Sequence, residues 1–324
     1  MENNANREKN RRGSVIAFSL LLLIMLVVAD YCSYLPKTKG YINKLTVTDG
    51  GRYGNDEMEL GINMAREVDG TTKLVLGDSV SAQLFGGLGL LQDRVKVCTV
   101  NQAITMCGQY VLAKEYIKTH PDATDIYLII YPGTLASTSR RTTSYQYVAM
   151  PLIEYGLEDD IDELMMGKLE SMFGKVFLKP SVIKYMDYSG INRKIYLYYQ
   201  LKLEEKENIT YPEVSDVTID YLDKMYQLCK DNDVTLHLAS GPICDIEKRH
   251  EEEAIIKEVF AETGLDGKFP TYCDSFVYYP AELFLDDEVH FKMEYKNRET
   301  LNPIISDIIA QDNSMSGLAD VLIE

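Results

Sequence analysis

The sequence predicts an α/β fold: a doubly wound parallel sheet with an inserted helical cap, carried behind one N-terminal transmembrane helix. Three observations predict it. From Lys73 onward, short apolar runs alternate with helix-compatible stretches; polar residues such as Ser79 and Asn101 stand where those runs end; and an uncharged apolar segment follows a basic N-terminal arm. Alternation with this spacing marks βαβ units, whose ligand chemistry gathers at the carboxyl ends of the strands. With 324 residues, 46% of them hydrophobic, the chain is long enough to bury a full-sized core.

Arg7, Lys9, Arg11 and Arg12 make residues 1–12 a basic arm, expected in the cytoplasm. Residues 13–29 carry no charge and include Leu20, Leu21, Leu22, Leu23, Ile24, Met25 and Leu26. That run sits at the lower edge of a bilayer span, with Tyr31 and Tyr34 placed for the far interface. The Lys/Arg bias keeps the arm inside, so the expected topology is a single pass through the cell membrane with everything after Asp30 extracytoplasmic. The rival reading is a cleavable signal peptide, since Val27, Val28 and Ala29 put small residues where a peptidase needs them. A lipid anchor on Cys32 fits less well, because Asp30 and Tyr31 precede it. Residues 30–70 read as a juxtamembrane connector ending in a short helix over 58–66.

Residues 71–312 form the expected α/β domain, and 313–324 a tail. A strand over 73–76 ends in Gly77-Asp78-Ser79 and is followed by helix-compatible sequence to about Leu91. The next apolar run, 95–100, ends at Asn101, with a helix over 108–118 behind it. The third, 126–130, ends in Tyr131-Pro132-Gly133. Residues 134–212 then break the rhythm; they are too long for an ordinary loop and read as a cap, with helical pieces around 160–173. Tyrosine is dense there (Tyr145, Tyr147, Tyr155, Tyr185, Tyr188, Tyr196, Tyr198, Tyr199), which fits either a polysaccharide cleft or packing on the sheet. A helix over 215–232, a strand over 234–238, an acidic helix over 245–262, a strand over 275–279, a loop over 285–290 and a last helix over 293–310 complete the domain.

Charge excludes one class of partner. The chain has 33 Lys plus Arg against 50 Asp plus Glu, a net charge of −17, and the arm contributes +2, so the remainder carries −19. Binding nucleic acid through phosphate neutralisation needs the opposite balance. The six cysteines (Cys32, Cys98, Cys107, Cys229, Cys244, Cys273) show no C-x-x-C pair and read mainly as buried thiols. His250 precedes three glutamates and Ala254, so the second histidine of a zincin helix is missing. No metal or organic cofactor is implied. His237 reads as a satisfied histidine on the sheet, His120 as a helix-end cap, and His250 as solvated.

Two separated motifs carry the chemistry. Ser79 stands at a strand-to-helix turn behind Gly77 and Asp78, where the helix N-terminus favours developing negative charge. The plainer reading is that Asp78 or Ser79 only caps that helix. Near the C-terminus, Asp287-Glu288-Val289-His290 offers a base for the serine and a carboxylate to orient the base from a single loop. Together they define a candidate acyl-transfer site.

Gly77-Asp78-Ser79, Asn101-Gln102-Ala103-Ile104-Thr105-Met106-Cys107-Gly108-Gln109 and Asp287-x-x-His290 resemble three sequence blocks of the SGNH (GDSL-like) hydrolase superfamily, in its membrane-anchored bacterial cell-envelope type. The resemblance covers roughly residues 70–310, apart from the cap. It implies a flavodoxin-like sheet, Ser79 as nucleophile, His290 as base and Asp287 as its orienting acid. It also implies an oxyanion hole using the backbone N–H groups of Ser79 and Gly108. The family's remaining block, G-x-N-D, is not matched: Tyr131-Pro132-Gly133-Thr134-Leu135 has no asparagine, so Thr134 or Ser137 is the expected substitute donor. Loss of one such donor costs roughly 10²–10³ in rate.

The expected function is therefore an extracytoplasmic serine esterase or O-acetyltransferase acting on a cell-envelope polysaccharide or glycolipid. Relatives with this plan work beside membrane-bound O-acyltransferases, which makes such an enzyme a possible partner. The alternative is a non-catalytic SGNH-like module that binds glycan or docks on that partner.

Overall fold

The computed structural model describes residues 2–33, 56–91, 94–101, 103, 105–272, 276–292, 298–310 and 316–322. A five-stranded sheet organises the chain beyond the N-terminal helix. Its strands are β1 (Lys73–Gly77), β2 (Leu88–Leu91), β3 (Val95–Thr99), β4 (Asp125–Ile130) and β5 (Thr235–Ser240), in the order β2-β3-β1-β4-β5. β3, β1, β4 and β5 are parallel, and β2 is an antiparallel edge.

The side-chain period of two sends alternate residues of each strand into different cores. Leu74, Leu76, Cys98, Ile126, Leu128, Ile130 and Leu238 lie in one cluster, with α2 (Asp56–Arg66), α4 (Met106–Thr119), the cap and α9 (Asp216–Asp231). Val75, Val95, Val97, Tyr127, Ile129 and Ala239 lie in the other, with α3 (Ser79–Phe85), α11 (Arg298–Ala310) and α12 (Ser316–Leu322). Strands covered on both faces explain why these runs are apolar throughout rather than alternating.

Three elements differ from the sequence reading. The helix behind Ser79 stops at Phe85 rather than continuing to about Leu91: Gly86 takes φ +81° and donates to the Ala82 carbonyl at 2.9 Å. The chain then reverses, and Thr99 donates through both N–H (3.0 Å) and hydroxyl (2.9 Å) to the Gly87 carbonyl, setting β2 beside β3. The strand expected over 275–279 is confined, among the described residues, to β7 (Tyr278–Tyr279), which pairs with β6 (Ile243–Cys244) in a separate two-stranded sheet. The stretch read as a tail contains α12, whose Leu318 is fully buried.

The cap comprises α5, a helical segment over 141–154 with a π turn at Tyr145–Ala149, α6 (Glu163–Phe173), α7 (Pro180–Tyr188) and α8 (Gly190–Glu204). Its entry and exit are stitched together: Ser215 donates its N–H to the Leu135 carbonyl at 2.8 Å and its hydroxyl to the Ser137 carbonyl at 2.9 Å. The same Ser215 caps α9 by accepting the Thr218 N–H at 3.0 Å. The tyrosines divide between buried and exposed positions. Tyr145 is buried against Phe173 and Tyr196, whereas Tyr198 and Tyr199 face outward.

At the N-terminus, α1 (Glu2–Ser33) contains a 19-residue stretch, Ser14–Cys32, of mean hydropathy 2.5, none of whose residues is fully buried. It is long and apolar enough to cross a membrane, a length and composition that also fit a signal sequence. Its far end meets the cap. Asp30 accepts hydrogen bonds from Tyr185 (2.6 Å), Ser189 and Asn192 (3.4 Å). Residues 34–55 of the connector lie outside the described residues.

Candidate active site

Ser79 is the first residue of α3, directly after β1, and its backbone position is set from three sides. Gly77 comes so close to β4 that a Cβ there would lie 2.1 Å from the Ile129 carbonyl oxygen, so no other residue fits. Ser81 donates its hydroxyl to that same carbonyl. Asp78 is buried between them. Its Oδ1 accepts the N–H groups of Val80 (3.0 Å) and Ser81 (3.3 Å), capping the helix, while Oδ2 accepts the Tyr131 N–H (2.8 Å) and the Thr134 hydroxyl (2.6 Å). Burial raises the Asp78 carboxyl above its usual range, against the pull of those four donors. One side chain thus joins the carboxyl ends of β1 and β4 and the start of α3.

His290 comes to Ser79 from a tight loop. Leu285 donates its N–H to the His290 carbonyl at 2.7 Å, Glu288 takes φ +58°, and Asp287 Oδ1 accepts the N–H groups of Val289 and His290, each at 3.0 Å. These bonds leave Asp287 Oδ2 at 2.7 Å from His290 Nδ1, and His290 Nε2 at 2.7 Å from Ser79 Oγ. Burial alone would push the Asp287 carboxyl up. The N–H and imidazole of His290, with the Val289 N–H, outweigh it and hold the group at about 2. An ionised Asp287 places the proton of the neutral imidazole on Nδ1, so Nε2 accepts from the Ser79 hydroxyl.

Gln83 is the site residue that the sequence reading missed. It lies one turn after Ser79 on α3, and its amide forms two hydrogen bonds with the backbone of Phe291, the residue after His290. Phe291 is buried against Phe284, with their rings stacked at 4.5 Å. The available signal was its spacing: a polar side chain four residues after the candidate serine shares its helix face.

Two of the expected oxyanion donors already have partners in the structure. Gly108 does not present a free N–H; it donates to the Thr105 carbonyl at 3.0 Å in the first turn of α4. The glycine there is explained by packing, since a Cβ would lie 2.9 Å from Ala103 Cα. Thr134 spends its hydroxyl proton on Asp78. The Ser79 N–H belongs to the first residue of α3, where a helix supplies no acceptor of its own. The second block reaches the site through Gln109, whose amide donates to the carbonyls of Gly77 (3.1 Å) and Ala103 (3.2 Å). Gln102 and Ile104 lie outside the described residues.

The other histidines have partners of their own. His237 Nε2 lies 2.9 Å from Asp125 and its ring stacks on Tyr127. His120 Nδ1 lies 3.0 Å from the Tyr116 carbonyl at the end of α4, as a cap would. His250, half-exposed, pairs with Asp245 at 2.8 Å and stacks on Tyr278 rather than being simply solvated. Cys98, Cys107, Cys229 and Cys244 are buried and unpaired, while Cys273 lies outside the described residues.

Chemically, a hydroxyl, imidazole and carboxylate in this order allow the serine to attack a carbonyl while the imidazole takes its proton and the carboxylate steadies the imidazolium. Compared with known proteins, the chain matches no family model, no curated protein and no solved structure.

Proposed function

We propose that the chain is a membrane-anchored, extracytoplasmic serine acyl-transfer enzyme with a doubly wound SGNH-type fold, an esterase or O-acetyltransferase of a cell-envelope polysaccharide or glycolipid. The observation that carries this reading is the continuous hydrogen-bonded series from Ser79 through His290 to Asp287, with both side-chain contacts at 2.7 Å. Its position at the carboxyl end of β1, in a parallel array with a core on each face, supports the fold assignment. The basic arm before Ser14–Cys32 supports the orientation.

In the reaction, Ser79 Oγ attacks an ester carbonyl while its proton passes to His290 Nε2. Collapse of the tetrahedral intermediate expels an alcohol, which takes that proton, and leaves an acyl-serine. A sugar hydroxyl or water, deprotonated by His290, then attacks the acyl carbon and releases Ser79. No cofactor enters.

The test is covalent labelling with a fluorophosphonate. The native chain is expected to label at one site, Ser79→Ala not at all, and His290→Ala far more slowly. A native chain that fails to label, or an Ser79→Ala chain that labels equally, counts against the enzyme. A second reading, a non-catalytic module docked on a membrane-bound O-acyltransferase, draws on the engaged Gly108 N–H and Thr134 hydroxyl. Absence of labelling in a folded native chain is the outcome that favours it.

A further inference from the structure

A cleft of about 510 Å³ opens between the loop after β4, the returning end of the cap at Tyr211, and the first turn of α10 (Glu247–Thr263). It adjoins the serine site. Thr134, in the loop that forms one wall, is bonded to Asp78, and Glu288 of the histidine loop lies within electrostatic reach of Arg249 on the opposite wall.

Three cations line this cleft, and they are not equivalent. Arg249 is neutralised by Glu252, which its Nη1 reaches at 2.6 and 2.7 Å, while its buried Nε has no hydrogen-bond partner among the described residues. Lys248 is 70% exposed and lies 3.8 Å from the same carboxylate. Arg140 is half-buried and stacked at 4.4 Å over the Tyr211 ring, and among the described residues no carboxylate pairs with it.

The ring holds the guanidinium in place without using its N–H donors, and that fork of donors matches the paired oxygens of a phosphate or carboxylate. Glu213 also lines the cleft, so the wall is not uniformly positive. Recognition there depends on the directed fork of Arg140 rather than on a broad cationic field.

We propose that this cleft binds an anionic segment of the glycan substrate, with Arg140 receiving its phosphate or carboxylate beside Ser79. The inference deepens the acyl-transfer reading by naming the substrate class, and it rests on that reading for calling the ligand a substrate.

The test measures binding rather than turnover, on the full chain in detergent carrying Ser79→Ala. The probes are a glycerol phosphate oligomer, an oligogalacturonate and a neutral dextran oligomer of matched length. One of the two anionic oligomers should bind at least tenfold tighter than dextran, and which one does so tells phosphate from carboxylate. Arg140→Gln should cut that preference by roughly 10- to 100-fold, the worth of hydrogen bonds to a charged group. Arg140→Lys, which keeps the charge without the fork, should restore part of it, and Tyr211→Ala should lower it; thermal melts show that each variant is folded. Equal binding of dextran and both anions, or an unchanged preference in folded Arg140→Gln, overturns the proposal. Loss of binding specificity with fluorophosphonate labelling intact rejects only the anion site. Arg140-dependent binding by a chain whose native form does not label rejects only the enzyme.

Discussion

Gln83 holds Phe291 by both ends of its amide: Oε1 accepts the Phe291 N–H at 3.1 Å, and Nε2 donates to the Phe291 carbonyl at 3.2 Å. Because Ser79 and Gln83 share one short helix, the element that presents the serine also fixes the residue beside the histidine. The distance between Ser79 Oγ and His290 Nε2 therefore does not depend on a long path through the sheet. It is set locally, across one turn of helix and one peptide.

Gln83→Leu keeps the size of the side chain but removes the partner of both the N–H and the carbonyl of buried Phe291. Stability should fall by roughly 1–3 kcal/mol. If Gln83 positions His290, the maximal fluorophosphonate labelling rate should drop tenfold or more, while the probe concentration for half-maximal rate changes little, since misplacement of about 1 Å can cost roughly 10²-fold. Gln83→Glu retains the acceptor for the Phe291 N–H and should recover part of the rate. A stability loss with an unchanged maximal rate would reduce Gln83 to a structural role.

Thr134→Val separates a loop anchor from an oxyanion donor. The variant removes a donor from the buried Asp78 carboxylate, so stability should fall by roughly 1.5–3 kcal/mol. Burial already raises the Asp78 carboxyl, and the loss of Thr134 raises it further. A carboxyl raised in the folded state favours folding when protonated, and that stability is lost as pH climbs above the ordinary carboxylate range. The deficit of Thr134→Val should therefore be larger at pH 7 than at pH 4, as urea titrations at the two values would read. Labelling of the folded variant should fall far less than the 10²–10³ of a lost oxyanion donor. A fall of that size would return the hydroxyl to the oxyanion.

Much of the sheet was legible because β1, β4 and β5 are apolar runs bounded by Gly, Pro and polar residues, a pattern that strands buried on both faces must show. β2 was not, since Leu88, Leu90 and Leu91 continue the apolar texture of α3 and only Gly86, Gly87 and Gly89 mark the reversal. The meeting of Ser79, His290 and Asp287 was legible because each lies at a turn whose place the βα order fixes. The partners of Gly108 and Thr134 were not: a backbone N–H or hydroxyl finds its acceptor through loop geometry, which residue types do not encode. Lys96 was hidden for another reason. It sits inside an apolar run, fully buried, and bonds Asp69 at 2.9 Å and the Met64 carbonyl at 2.8 Å.

That pair, a buried ammonium against a carboxylate open to solvent, predicts an acid limb in stability. Burial pushes the Asp69 carboxyl up, but Lys96, both donors of Thr71 and His120 pull it down to about 2. A carboxyl depressed in the folded state contributes stability that is complete above its unfolded value and lost as pH falls through its folded value. The loss should therefore develop between roughly pH 4 and pH 2. Asp69→Asn takes the carboxylate away from the buried Lys96 ammonium and should cost roughly 1–3 kcal/mol at pH 7. Its stability should also change less than that of the native chain between pH 5 and pH 3. Urea midpoints at the two values check both statements, and parallel pH dependence in the two chains would contradict the assignment.

The contact between Asp30 and the cap predicts where the cap sits. The apolar stretch Ser14–Cys32 has 19 residues, about 28 Å as a helix, which matches the roughly 30 Å hydrocarbon core of a bilayer. On the proposed single-pass reading, Asp30, two residues from its end, belongs at the lipid–water boundary, with the Tyr185 hydroxyl 2.6 Å away. The chain contains no tryptophan, so a single introduced indole is an unambiguous reporter. In vesicles containing brominated lipids, Leu26→Trp should be quenched most by bromines deep in the acyl chains, and Tyr185→Trp by bromines near the headgroup. Tryptophan at position 185 keeps an N–H that can reach the Asp30 carboxylate, so the dock itself is preserved. Quenching at Leu26→Trp without quenching at Tyr185→Trp would mean that the helix spans while the cap stands clear of the surface. If the mature chain lacks residue 26 altogether, the segment is a cleaved signal, and the cap loses the contact that places it at the membrane.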